Sequence, residues 1–285
     1  RECVIDSGLS INTPGVDMQR ACGTSLETTL NIANKIALGQ IEAGIAGGVD
    51  SISDAPIVYN DSFRKILLAS VQGKSIKEKI KPWLRMKLRF LKPKLPGVKE
   101  PRTGLSMGES TEIIAKKYHI SRQSQDELAL ESHINTAKAY DEGFYQNLVH
   151  PFKGIHEDNI MRRNIAIDKL KLLKTVFDKS EQGSMTPGNS TSLTDGAAAV
   201  LLSSEEWAHN NNLRIEAYLT HCEIAAIDYI NDEGLLMAPA YAVSSMLRKA
   251  NLTLQDFDFY EIHEAFAAQT LATLKAWESI DFCRS

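Results

Sequence analysis

Residues 14–53 read PGVDMQRACGTSLETTLNIANKIALGQIEAGIAGGVDSIS, and the rest of the chain is organised around them. Val16 to Gln19 is short and extended. Cys22-Gly23-Thr24-Ser25 makes a tight turn, and Leu26, Leu30, Ala33, Ile36 and Ala37 then recur at the spacing of one helix face. Gly39 supplies a left-handed stop, and Ala43 to Ala46 is a small-residue strand ending in Gly47-Gly48, where another backbone can approach closely. Strand, turn, helix and strand in this order predict an α/β fold. The spacing also puts Cys22 at or near a helix N-terminus, where unpaired N–H groups and the positive end of the helix dipole favour a thiolate. The bland alternative is a small buried hydrophobe, the commoner fate of a free cysteine. Gly23 leaves room for a ligand beside the sulfur, and Thr24-Ser25 offers hydroxyls to cap the helix without it.

The 285 residues are 43% apolar and 24% charged, ordinary for an α/β protein, and no apolar run reaches the length of a membrane span. Four cysteines without paired spacing or a CxxC predict neither a disulfide framework nor a metal site, and fit a reducing compartment. Charge is unevenly placed. Lys74 to Lys99 holds ten Lys/Arg against one Glu, an excess of nine positive charges, so a chain of net charge −4 carries thirteen net negative charges elsewhere. Within Gly73 to Pro96, Ile76, Ile80, Trp83, Leu84, Leu88 and Leu91 share a face, which predicts one amphipathic basic helix or two short ones, Pro82 starting the second. Such a segment suits a solvated helix, a partner subunit or an anionic membrane surface equally.

Ser51 to Lys65 reads as a strand end passing into a loop. Thr103 to Glu109 turns into a helix through Tyr118, and Ser121 caps another that runs to about Asp141, with Gly143 as its stop. Asn159 to Phe177 reads as loop with a helical turn. A Gly/Ser/Thr-rich junction from Thr186 to Gly196 precedes a buried strand, Ala197 to Leu202, and Ser204 caps a short helix. Past the polar Asn210-Asn211-Asn212, Ile215 to Ile227 reads extended, Pro239 opens a helix closed by Asn251, and Phe257 to Ile262 is a strand before a helix from Glu264 to Trp277. His263 then lies at a strand's carboxyl end, where open α/β sheets place functional groups.

Three junctions in this order, RACGTS at Cys22, GNSTSLTDGA at Gly188 to Ala197 and HEAFA at His263 to Ala267, resemble the thiolase family over nearly the whole chain. The resemblance implies a layered αβαβα fold, with residues 1–208 as an N-terminal domain carrying a loop insertion at about 54–184, and 213–285 as a partial C-terminal domain. It implies Cys22 as the nucleophile that takes the acyl group as a thioester, and His263 as the stabiliser of the oxyanion. Met107, Gly108, Asn189, Thr191 and Phe266 are implied to bind substrate or coenzyme A, Thr191 standing where thiolases often carry serine. HEAF in place of NEAF, the basic insertion and Leu235 to Ala242 resemble the β-subunit type of the trifunctional fatty-acid oxidation complex, a 3-ketoacyl-CoA thiolase. The implied partners are acyl-CoA, coenzyme A as substrate with no further cofactor, a second copy of the chain and a hydratase/dehydrogenase α-subunit, with membrane contact through Lys74–Lys99 and no nucleic acid. The implied location is cytoplasmic in a bacterium or mitochondrial in a eukaryote.

The sequence departs from the family in one respect. The G-H-P histidine that activates the nucleophile and the C-x-G-G-G cysteine that shuttles a second proton do not occur in these residues, and Cys283 lacks the glycine context. The expectation is a truncated, inactive chain. A ketoacyl synthase would show H-G-T where His263-Glu264-Ala265 stands. A catalytically incomplete thiolase kept as a binding or assembly partner, and an acetoacetyl-CoA-forming acetyltransferase, remain open.

Overall fold

The computed structural model describes residues 1–94, 97–231 and 234–284. In chain order its elements are α1 (Glu2–Asp6), α2 (Thr24–Ala37), β1 (Ala43–Asp50), α3 (Asp61–Gln72), α4 (Ile76–Ile80), α5 (Met107–Lys117), α6 (Arg122–Asp141), α7 (Ile167–Lys171), β2 (Gly196–Ser203), α8 (Glu205–Asn210), α9 (Ala238–Ala250), α10 (Ala267–Glu278) and α11 (Ile280–Arg284), with short 3-10 turns between. They pack as two units, residues 1–55 with 194–222, and residues 56–193 with 223–285. Packing thus cuts across the linear division at 208–213.

In the first unit β1 and β2 pair antiparallel, from Ala43 opposite Ser203 to Asp50 opposite Gly196, and α2 lies against the ladder. The glycine pair makes this approach possible. A Cβ on Gly47 would fall 2.6 Å from the Ala198 carbonyl oxygen, and one on Gly48 would fall 2.4 Å from Ser25 Oγ. Thr28 Oγ1 then donates to the Gly47 carbonyl at 3.0 Å, joining helix to strand. β2 forms where expected but is exposed over most of its length rather than buried. Three other predicted strands, Val16–Gln19, Ile215–Ile227 and Phe257–Ile262, form no ladder among the described residues. A strand exists only through a partner that takes its backbone bonds, and alternation in the sequence supplies none.

The second unit is built on α10, whose small side chains let neighbouring helices close in. Ala272 and Ala276 pack with Ile114, Met237 and Ala240 from α5 and the start of α9, while Ala268 and Phe266 pack with Ala115 and Met185. α10 begins at Ala267, three residues later than the sequence suggested. Residues 61–65, read as loop, and 66–72 form α3, whose Asn60 side chain caps it by accepting from the Ser62 N–H. The basic segment is not a continuous helix. It breaks into α4 and 3-10 turns at Lys81–Arg85 and Leu88–Leu91, and residues 95–96 of the expected stretch lie outside the described residues. Trp83 packs edge-on against Phe63 of α3 at 6.2 Å, but Leu84 and Leu88 are 82% and 87% exposed.

Candidate active site

Cys22 sits in the first unit, exposed, one residue ahead of Gly23, the N-cap of α2. Its φ is +58°, a left-handed conformation that a side chain with a Cβ rarely adopts. The bend closes on itself. Thr24 Oγ1 donates to the Arg20 carbonyl at 2.9 Å and accepts from the Arg20 N–H at 3.1 Å, and Arg20 pairs with Glu27 at 2.8 Å. The expected capping of α2 by Thr24 or Ser25 is therefore replaced, and no side chain caps this helix. At the far end of the same unit Asp195 accepts from the Ser53 N–H at 2.8 Å and from the Ser53 hydroxyl, holding its carboxyl below the usual range. The aspartate of the LTDGA motif thus ties β2 to the turn after β1.

The other predicted site residues fall in the second unit, where the junction loop and the HEAF turn join. The Thr191 N–H donates to the Ala265 carbonyl at 2.9 Å, the Ala267 N–H donates to the Asn189 carbonyl at 3.0 Å, and Ser190 bridges Phe266. His263 is exposed, two residues before the first of these contacts. Glu264 accepts from Ser132 Oγ of α6 at 2.5 Å, which ties the turn to that helix. Phe266 is buried and meets Phe177 edge-on at 5.8 Å. Gly108 belongs to the same packing, since a Cβ there would lie 2.1 Å from the Phe177 ring. Met107 stays exposed at the start of α5, and Thr191 is exposed with its hydroxyl turned to the Ser192 carbonyl at 3.2 Å.

Asn189 lies inside the protein. It is 2% exposed, and its side chain is engaged by the protein: Oδ1 accepts from the Thr186 N–H at 2.8 Å, and Nδ2 donates to Asp126 at 2.9 Å. Its amide shapes the loop. Two buried carboxylates that the sequence did not single out complete the support. Glu112 accepts three bonds, from the Ser184 N–H, the Ser184 hydroxyl and the Met185 N–H, at 2.8, 2.7 and 3.0 Å. Asp126 pairs with Arg122 at 2.7 Å. The available signal was a carboxylate on an otherwise core-facing helix side, since such groups are rarely buried without partners.

Beside the loop lies a cavity of about 210 Å³, lined by Ser132, His133, Ser190, Thr191 and Glu264 among others. Ser190 Oγ is buried there without a partner. His133 accepts from the Arg162 N–H at 3.4 Å through Nδ1, and burial, with the Arg162 charge, pushes its imidazole below the usual range. The cavity therefore presents an imidazole, an unused hydroxyl and the Glu264 carboxylate.

The family model for the thiolase N-terminal domain matches residues 1–206, and that for the thiolase C-terminal domain matches residues 213–281. The chain belongs to the thiolase family. A 3-ketoacyl-CoA thiolase of Yersinia enterocolitica is 40% identical over the whole of this thiolase chain, as is one of Yersinia pestis, and in each case the chain spans 66% of the relative's length. Among solved structures, the Bacillus anthracis acetyl-CoA acetyltransferase superposes with a TM-score of 0.81 at 29% identity, covering 98% of this chain and 67% of that one. The human mitochondrial 3-ketoacyl-CoA thiolase in complex with CoA gives 0.79 at 27% identity, over 96% of this chain and 65% of that one. The thiolase fold expected from the sequence is thereby established.

Proposed function

We propose that this chain carries the acyl-transfer site of a 3-ketoacyl-CoA thiolase working in fatty-acid β-oxidation. The observation that carries the reading is Cys22, exposed and held at φ +58° directly ahead of α2. A left-handed cysteine is a strained position, and strain of this kind gathers at functional sites. The Cys22 sulfur attacks the 3-keto carbonyl, and the resulting oxyanion is stabilised by His263, directly or through water. The bond between C2 and C3 breaks, the acetyl-CoA carbanion takes up a proton equivalent to the one the Cys22 thiol gave up on attack, and the shortened acyl group remains on Cys22. The thiol of a second coenzyme A attacks that thioester, its proton passes to the departing Cys22 sulfur, and shortened acyl-CoA and free Cys22 are released. The two-stage transfer predicts ping-pong kinetics. Coenzyme A and acyl-CoA meet the loop at Thr191, with Phe266, Gly108 and Met107 shaping the acyl side.

The proposed partners follow from surfaces. Ile45, Val49, Val200 and Leu201 of the β1–β2 ladder are exposed and suit a second copy of the chain. The basic segment with its outward Leu84 and Leu88 suits a hydratase/dehydrogenase α-subunit or an anionic membrane, and no helix among the described residues is long and apolar enough to cross one. A cytoplasmic or mitochondrial location fits unpaired cysteines. The rival, a chain that only binds or assembles, is favoured by the absence of G-H-P and C-x-G-G-G from these residues.

Labelling tests the nucleophile. Exposure alone does not separate Cys22 from Cys3 and Cys222, which are also exposed. With limiting 3-ketoacyl-CoA or iodoacetamide, mass spectrometry is expected to find the adduct on Cys22 first. Preferential labelling of Cys3 or Cys222 removes the assignment.

A further inference from the structure

We infer that α6 is the template that fixes the turn bearing His263, acting through Asp126 and Ser132 as positioning residues. This deepens the thiolysis reading and rests on it. Asp126 is 1% exposed and faces two donors, Arg122 Nε at 2.7 Å and Asn189 Nδ2 at 2.9 Å. A carboxylate, which only accepts, can serve both, whereas an amide in its place would turn its own NH2 toward one of them. Arg122 neutralises the buried charge and is itself held, donating to the Leu170 and Leu173 carbonyls at 2.7 and 3.2 Å. Asn189 passes the restraint on through its bonds to Thr186 and Ala267, and Thr191 holds Ala265.

Further along the same helix, Ser132 Oγ donates to Glu264 at 2.5 Å. The two residues after His263 are therefore both tethered, Glu264 to α6 directly and Ala265 to the loop that Asp126 secures. The His263 ring makes no hydrogen bond among the described residues of its unit, so its position follows the backbone of this turn. Preorganisation of a stabilising group comes from the shell behind it.

The test uses the full chain and three readings: amide exchange, the His263 ring resonances, and affinity for free coenzyme A by calorimetry. Asp126→Asn and Asn189→Asp each set like groups face to face, and each is expected to raise exchange at Thr191 and Ala267 about 10-fold or more, with α9 little changed. The double variant Asp126→Asn/Asn189→Asp lets the amide at 126 accept from Arg122 and donate to the carboxylate at 189, which restores the donor–acceptor match between positions 126 and 189 and gives up only the longer Asn189 bond to the Ser184 carbonyl at 3.4 Å. It is expected to restore exchange toward wild type, together with any coenzyme A affinity that the single variants lose. Ser132→Ala, a partly exposed change that folds even where the buried variants do not, is expected to shift the His263 resonances, and Ser132→Thr to return them. Uniform loosening of the whole unit, a double variant no better than the singles, or unmoved His263 resonances in Ser132→Ala each overturn the inference. Wild-type chain that fails to bind coenzyme A counts against the substrate reading, while exchange and ring resonances still judge the tether.

Discussion

Cys22 separates backbone strain from chemistry at a single position. At φ +58° a Cβ crowds the neighbouring carbonyl, and the left-handed region costs a residue other than glycine about 1–2 kcal/mol. Cys22→Ala keeps that strain and Cys22→Gly releases it, so the glycine variant is expected to be more stable than the alanine variant by about 1 kcal/mol, although both lose the thiol. Chemical denaturation followed by a probe in α2 measures the difference, and equal stability would mean that the bend is not strained. The bend itself was legible, because Gly23 and the helical spacing beyond it are local. Its left-handed φ was not, since cysteine carries no signature for that conformation. Asn189 shows the complementary limit. Its motif marked the loop correctly, but the direction of its side chain depends on Asp126, 63 residues away, and nothing local to either residue announces the pair.

At the scale of elements, local rules held where the device is local. Ser121 and Ser204 cap α6 and α8, and Gly143 and Asn251 close α6 and α9 in left-handed conformations, as read from sequence. α3 escaped because its apolar residues follow a Pro-bearing stretch that reads as loop. The capping box of α5 has a pH signature. The Ser106 N–H donates to Glu109, and that bond, then the Ser106 hydroxyl and Lys99, pull the Glu109 carboxyl down to about 2. A depressed carboxylate contributes stability that is complete above its ordinary value of 4.5 and is lost as pH falls toward about 2. Ser106→Ala is expected to cost about 1 kcal/mol at neutral pH. It removes the hydroxyl but keeps the backbone donor, so the Glu109 titration should rise and still end below its ordinary value; an unmoved NMR titration would refute the box. The basic segment behaves as an element too. Each basic residue near an anionic surface contributes about 1 kcal/mol, so salt-sensitive binding to anionic vesicles is expected from wild type and not from a variant with Lys74–Lys99 neutralised. Equal co-sedimentation of the two removes membrane contact, and binding by neither points to a protein partner.

For the whole molecule, fold and turnover have separate requirements. Similarity over the whole chain and a TM-score of 0.81 show that these residues share the thiolase arrangement of longer relatives. Within its unit, however, the Cys22 sulfur is given no hydrogen-bonded base, and the family's two proton-carrying motifs are not in this sequence. A positioned general base contributes roughly 10²–10⁴-fold, about 3–5 kcal/mol of barrier, and thiolysis needs proton transfer twice. The 285 residues are therefore expected to form an acyl adduct on Cys22 slowly and to turn over poorly. Solubility should suffer as well, because among the described residues the two-stranded ladder has no further strand on either outer edge. Appending a continuation that carries G-H-P and C-x-G-G-G should raise cleavage of 3-ketoacyl-CoA by at least the factor attributed to the base and reduce concentration-dependent association. Loss of the enolate absorbance reports the first, and sedimentation the second. Full turnover by the 285 residues alone would place a working base inside them, and His221, in the same unit as Cys22, and His263 are then the side chains to replace, one at a time, to find it.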